Sequence, residues 1–201
     1  MSERPLVPNP SFPRPLSPDR SPPITRLSAF LLQGDAVMAA WEQYDDEHTD
    51  LDGWPYDQDA YDARRAEKEA ALWRCFTPLR ESAASLLDAA DASVGQLSGR
   101  SVQARWSWQL DQLRGALERI DTAHKEYDER LAADPYASGE DVHSAVVARN
   151  RQASDALGDW LTHGRAVLEI HAATLRAGQT GIRLTARTPH AAAPASPARR
   201  R

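Results

Sequence analysis

Residues 106–131 read WSWQLDQLRGALERIDTAHKEYDERL, and the spacing within this stretch decides the fold class. Trp106, Leu110, Leu113, Leu117, Ile120, His124, Tyr127 and Leu131 recur at alternating intervals of four and three. Such steps return side chains to one face of an α-helix and form a heptad seam, the coiled-coil spacing that packs into holes on a neighbouring helix. Gly99 and the Asp134-Pro135 pair bracket the seam, so it predicts one long helix.

The same period extends outward on both sides. Upstream, a helical pattern from about Asp59 to Val94 carries Leu72, Phe76, Leu79, Ala83, Leu86 and Ala90. Pro78 interrupts it, but the stripe keeps its phase across the proline, which favours a kinked helix over two separate ones. Earlier still, Leu27, Phe30, Leu31, Gly34, Val37, Met38, Trp41 and Tyr44 predict a first helix ending near His48, with Thr25 or Ser28 as its cap. Gly53-Trp54-Pro55 then makes a turn that cannot continue a helix. Downstream, Ser138 with Asp141 forms a capping pattern. It opens a helix through Val142, Val146, Asn150, Ala153, Leu157, Trp160, Gly164, Val167, His171 and Leu175, with Gly178 as its stop.

Helices two to four are each expected to run for about 33–38 residues, or ~50 Å at 1.5 Å per residue. Short connections between such helices imply antiparallel neighbours. The expected fold is all-α: an elongated, antiparallel, up-down-up-down four-helix bundle.

Composition agrees. The 201 residues include 34 alanines and 20 leucines but only 12 valines and isoleucines together, which excludes a strand-rich domain. One cysteine, Cys75, excludes an internal disulfide scaffold and suits a reducing, cytoplasmic setting; its surroundings read as a small buried hydrophobe. No secretory signal is visible, and no apolar run approaches the ~18 residues of a membrane helix. The 22 arginines against two lysines, with the alanine excess, suggest a GC-rich bacterial genome.

Eight of the 14 prolines fall in the first 23 residues. Residues 1–26 therefore read as a proline-rich disordered tail, 27–177 as the helical body, and 178–201 as a second disordered tail rich in alanine, proline and arginine. The mean hydropathy of −0.59 reflects these flanks. Charge divides the same way. The first 26 residues hold four arginines and two acids, the body 15 bases and 27 acids, and the last 24 residues five arginines and no acid. An acidic body repels phosphates, so nucleic acid is an unfavourable partner for it, and the basic tail alone would bind only weakly.

Signatures of catalysis are absent: no G-x-S-x-G, C-x-x-C, H-E-x-x-H or G-x-G-x-x-G occurs. Gly95 to Ser101 superficially resembles a phosphate-binding loop but has the wrong spacing, no lysine and no preceding strand. Two constellations near one end of the expected bundle have ligand-like spacing. Asp50, Asp52 and Asp59, aligned on Gly53, partly match a calcium loop, although His48 stands at its first position and Pro55 where an apolar residue belongs. Asp45 with His48, Asp121 with His124, and Glu140 with His143 are carboxylate-x-x-histidine pairs, the spacing of metal sites inside helical bundles. Each also has a structural role open to it. Glu140 suits a helix's first turn, Asp45 and His48 a helix end, and His124 a register-fixing position on the seam.

Of the tryptophans, Trp41, Trp106 and Trp160 fall on apolar stripes, whereas Trp54, Trp73 and Trp108 are less clearly inward. Trp54, Tyr56 and Tyr61 would form an aromatic surface beside the acidic loop, suited to a protein partner. The sequence thus favours a non-enzymatic interaction protein without a cofactor, binding another protein or a second copy of itself. A metal- or small-ligand-binding bundle, possibly enzymatic, is the alternative, and a nucleic-acid accessory protein acting through the basic tail comes third.

Overall fold

A computed structural model describes residues 21–97 and 102–185, with side chains described to residue 179. The chain folds into α1 (Pro23–His48), α2 (Gln58–Gln96), α3 (Arg105–Ala133), α4 (Gly139–His163) and α5 (Arg165–Thr185). Among the described residues the one β-type pairing is an isolated bridge between Thr49 and Pro55. No helix there is long and apolar enough to cross a membrane.

Polar pairs between helices fix direction and register. Tyr61 reaches Asp45, and Arg26 reaches Ser82, between α1 and α2. Arg80 pairs with Asp121 and Arg114 with Asp91, both at 3.0 Å, between α2 and α3. Gln152 donates to Glu126 and Arg119 pairs with Asp159 between α3 and α4. Within each pair of neighbours the partner number rises on one helix as it falls on the other (45 with 61 and 26 with 82; 91 with 114 and 80 with 121; 126 with 152 and 119 with 159), so consecutive helices are antiparallel and the bundle runs up-down-up-down. These partly exposed pairs contribute at most ~1 kcal/mol each; they specify register more than they stabilise.

Stability comes from the apolar stripes. Leu72, Phe76, Leu79, Ala83, Leu86 and Ala90 of α2 are all buried, as are Trp106, Leu110, Leu113, Leu117 and Ile120 of α3. Phe76 sits at the centre, edge-on to Phe30 of α1 at 5.2 Å and to Trp160 of α4 at 5.3 Å. Each such buried side chain is worth roughly 1.5–3 kcal/mol relative to exposure. Further along α3 the seam opens: His124, Tyr127 and Leu131 are only partly buried.

α2 passes through Pro78 as one helix. Pro78 lies on the exposed face, where water can reach the carbonyl it leaves unbonded, and the Thr77 hydroxyl donates to the Trp73 carbonyl at 2.9 Å. The capping box expected at Ser138 and Asp141 is present, with both reciprocal bonds made.

Several expected boundaries are corrected. α1 begins at Pro23 with Pro22 as its cap residue, so neither Thr25 nor Ser28 caps it; the Ser28 hydroxyl bonds back to the Ile24 carbonyl at 3.0 Å. Proline at the first helical position needs no donor there, which lets the helix start inside the proline-rich run. Residues 23–26, assigned by sequence to the tail, are therefore helical. α3 starts at Arg105 and spans 29 residues against 39 for α2, so the helices are unequal. Residues 98–101, 1–20 and 186–201, which include most of both expected tails, lie outside the described residues.

The expected fourth helix is two. Gly164 joins α4 to α5 while keeping helical angles (φ −60°, ψ −26°), and the Val167 amide bonds to the Gly164 carbonyl at 3.1 Å, a tightened turn. Close approach accounts for the glycine at this junction. A methyl group at Gly164 would stand 2.5 Å from the Trp160 carbonyl oxygen and 3.1 Å from Leu31 of α1. The tightened turn also shifts the buried face. Beyond it Val167, Ile170 and Ala173 point inward, while His171 and Leu175, expected on the stripe, are exposed. Gly178 does not stop α5, which continues to Thr185.

Candidate functional site

The α1–α2 connection is short, yet it is heavily bonded. The Asp50 amide donates to the Trp54 carbonyl at 2.8 Å, the Tyr56 amide to the His48 carbonyl at 2.9 Å, and the Gly53 amide to the Asp50 carbonyl at 3.0 Å. Asp50 turns its carboxylate back on its own loop, accepting from the amides of Asp52 at 3.0 Å and Trp54 at 2.8 Å. Gly53 supplies the left-handed residue (φ +80°) that closes the turn, a conformation side chains strain to adopt. Asp57 caps α2 by accepting from the Ala60 amide at 3.0 Å.

Beneath the loop lies an aromatic base. The Tyr61 hydroxyl donates to Asp45, and the Tyr61 ring lies 5.1 Å from that of Trp41 and 6.2 Å from that of Tyr44. His48 stacks on Tyr44 at 3.9 Å and bonds through Nδ1 to the Tyr44 carbonyl at 2.9 Å. The Asp45 bond holds the Tyr61 hydroxyl above its ordinary pKa, with burial adding to the effect. Lys68 lies 4.5 Å over the Trp41 ring, and burial lowers its ammonium pKa.

On this base the loop displays its apolar side chains to solvent. Leu51 is fully exposed, Trp54 70% and Tyr56 73% exposed. Asp50, Asp52, Asp57 and Asp59 surround them, all exposed. Tyr61 is not part of this display: it is half-buried and belongs to the support. Sequence reading grouped all three aromatics because it could not see which way each pointed.

The ligand-like constellations are dispersed. Asp50 is occupied by backbone amides, and Asp52 and Asp59 extend into solvent. His48 is held against Tyr44, and Asp45 accepts from Tyr61. His143 and Glu140 are exposed in the first turns of α4. His124 stacks between Trp73 at 5.8 Å and Tyr127 at 6.0 Å, with Nε2 3.5 Å from Asp128. Asp121 accepts from Arg80. The pairing of Glu126 with Gln152 places His143 about nine residues, or ~14 Å, from the position opposite Glu126. Among the described residues, no three His, Cys, Asp or Glu side chains form a group able to hold a metal ion.

A second polar cluster escaped sequence reading. Arg149 of α4 lies 4.1 Å over Trp73 of α2 and 4.7 Å over Tyr127 of α3, and donates to Oδ1 of the buried Asn150 at 2.8 Å and 3.2 Å. Burial lowers the pKa of His124, with Arg80 and Arg149 adding to it. Trp73, undecided by sequence, is core; Trp106 and Trp160 are core as expected, Trp41 is half-buried, and Trp108 is exposed. Asn150 on an otherwise apolar stripe was the available signal. The cluster joins three helices with its aromatic faces already covered, which is a structural task. Cys75 is partly buried, and burial raises its thiol pKa.

No family model, curated protein or solved structure matches the chain.

Proposed function

We propose that this protein is a non-enzymatic helical interaction protein whose contact element is the loop between α1 and α2, working in a reducing compartment such as the cytoplasm. One observation carries the reading: Leu51, Trp54 and Tyr56 stand exposed together on a loop that its own hydrogen bonds hold in place. Large aromatic side chains such as Trp and Tyr are the usual anchors of protein interfaces, and a pre-ordered loop loses little entropy on docking. The ring of aspartates selects the partner's chemistry: an apolar pocket with a basic rim. The same acidity disfavours self-association through this tip, because two copies would bring like charges together.

The test replaces Leu51 with a photo-crosslinking residue in the full chain and compares it with the same protein carrying Trp54→Ala and Tyr56→Ala. A protein crosslinked by the first and lost in the second supports the reading. Identical crosslinks from both, or crosslinks only between copies of this chain, overturn it.

A further inference from the structure

A basic groove interrupts the acidic body between α1 and α2. It has a volume of about 350 Å³ and is lined among others by Val37, Ala40 and Trp41 from α1 and by Arg64, Lys68 and Arg74 from α2. Glu67 also lines it and pairs with Arg64 at 2.8 Å. Both side chains of that pair are exposed, so it is worth at most ~1 kcal/mol and is readily exchanged. Lys68 and Arg74 have no hydrogen-bond or ion-pair partner among the described residues. Lys68 is half-buried with its ammonium 4.5 Å over the Trp41 ring. Glu69, Asp155 and Asp45 favour its charge from a distance, but burial outweighs them. An ammonium drawn out of water without a counter-ion gains more from an arriving carboxylate than an exposed one does.

The spacing of the cations sets the length of what they can hold. Lys68 follows Arg64 by four residues and Arg74 follows Lys68 by six, so their backbone positions lie ~6 Å and ~9 Å apart and together span ~15 Å of α2. That is the reach of about five residues of extended chain at ~3.3 Å each, more than a small organic acid covers. Side chains of an extended chain alternate in direction, with ~7 Å between those on one side. One side can therefore set carboxylates against the cations of α2 while the other lays apolar groups against Val37, Ala40 and Trp41. We propose that this groove binds an extended acidic segment of a partner protein, one in which carboxylates alternate with apolar residues. The chain's own acidic loop is a hydrogen-bonded tight turn, so a second copy offers no such extended segment. A nucleic-acid strand would run past Arg64 toward the exposed Asp57 and Asp59, whereas a short peptide ends before them, and charges further than about 8–10 Å are screened at physiological salt.

The test titrates the full chain at pH 7 with a blocked peptide of alternating glutamate and leucine, about six residues long, and follows binding by calorimetry. Saturable binding at one peptide per chain is expected. It should vanish for the glutamine–leucine analogue and weaken at least ~tenfold in the double variant Lys68→Gln, Arg74→Gln. No binding, equal binding of the analogue, or unchanged affinity in a double variant that keeps its helical circular dichroism overturns the proposal. A second measurement needs no variant. A photo-crosslinking leucine in the peptide should attach to residues 37–41 or 64–74 of the wild-type chain, and crosslinks confined to other segments overturn it. Self-association of the chain that the double variant abolishes, or displacement of the peptide by a single-stranded oligonucleotide, gives the groove another occupant and overturns it equally. Neither Trp54 nor Tyr56 lines the groove, so these outcomes are independent of the exposed loop.

Discussion

Tyr61, in the first turn of α2, donates its hydroxyl hydrogen to Asp45, in the last turn of α1, and so ties together the two helix ends from which the exposed loop hangs. Removing that bond while keeping the ring tests whether the loop's order depends on it. Tyr61→Phe leaves Asp45 without its donor, and the loss of one such charge-assisted bond costs about 1–2 kcal/mol. Amide exchange at Trp54 and Tyr56 should quicken at least several-fold, with the buried core helices unchanged. Equal exchange in wild type and variant would show that the backbone bonds of the loop hold it unaided.

Trp54 and Tyr56 themselves should be dispensable for folding. Both project into solvent, so the double variant Trp54→Ala, Tyr56→Ala should change unfolding free energy by no more than about 0.5 kcal/mol, the usual range for surface sites. Urea unfolding followed by circular dichroism measures this. A large loss would assign the pair to the fold and remove the reason for calling them contact residues.

Gly164 and Gly34 should differ in what they tolerate. The nearest atoms that a methyl group at Gly34 would meet are those of the Leu161 side chain, the closest being Cδ2, the free end of a half-buried side chain that can turn away. At Gly164 the obstacle is the Trp160 carbonyl, 2.5 Å away, with Leu31 behind it. Gly164→Ala should therefore cost roughly 1–3 kcal/mol as an overpacking defect, and Gly34→Ala less. The midpoints of urea unfolding rank them, and the reverse order would mean that the α4–α5 turn relaxes more readily than a leucine rotamer.

The apolar periods made the bundle legible because burial along α2 and the first half of α3 follows a single stripe. They could not reveal the tightened turn at Gly164, since a one-residue change of face leaves His171 and Leu175 at plausible helical spacing. The histidine pairs were legible as spacing but not as geometry. Three-residue intervals place a carboxylate and a histidine on one face of one helix, whereas the relative rotation of α1, α3 and α4 decides whether three such faces meet. The exposed loop was legible in part, through Trp54 and Tyr56 among aspartates, while the direction of Tyr61 depended on Asp45, sixteen residues away.

Glu69 offers a pH-dependent test of the core. It is 5% exposed on the buried face of α2 and makes no hydrogen bond or ion pair among the described residues. Burial raises its carboxyl pKa, with Lys68, Arg151 and Arg65 acting in the opposite direction. A carboxyl whose pKa is higher folded than unfolded holds its proton better in the native state. Folding is then favoured below the unfolded value, near 4.5, and that advantage is lost as pH rises through the folded value. Glu69→Gln keeps the shape and removes the charge. It should stabilise the protein at pH 7 by about 1 kcal/mol, the scale of a carboxylate buried without a partner after relaxation. The gain should shrink to nothing below about pH 4, where the wild-type side chain is protonated in both states. Urea unfolding of both proteins at pH 7 and pH 4 reads the difference directly. A stabilisation equal at both pH values, or a destabilisation at pH 7, would mean that nearby cations already compensate the Glu69 charge.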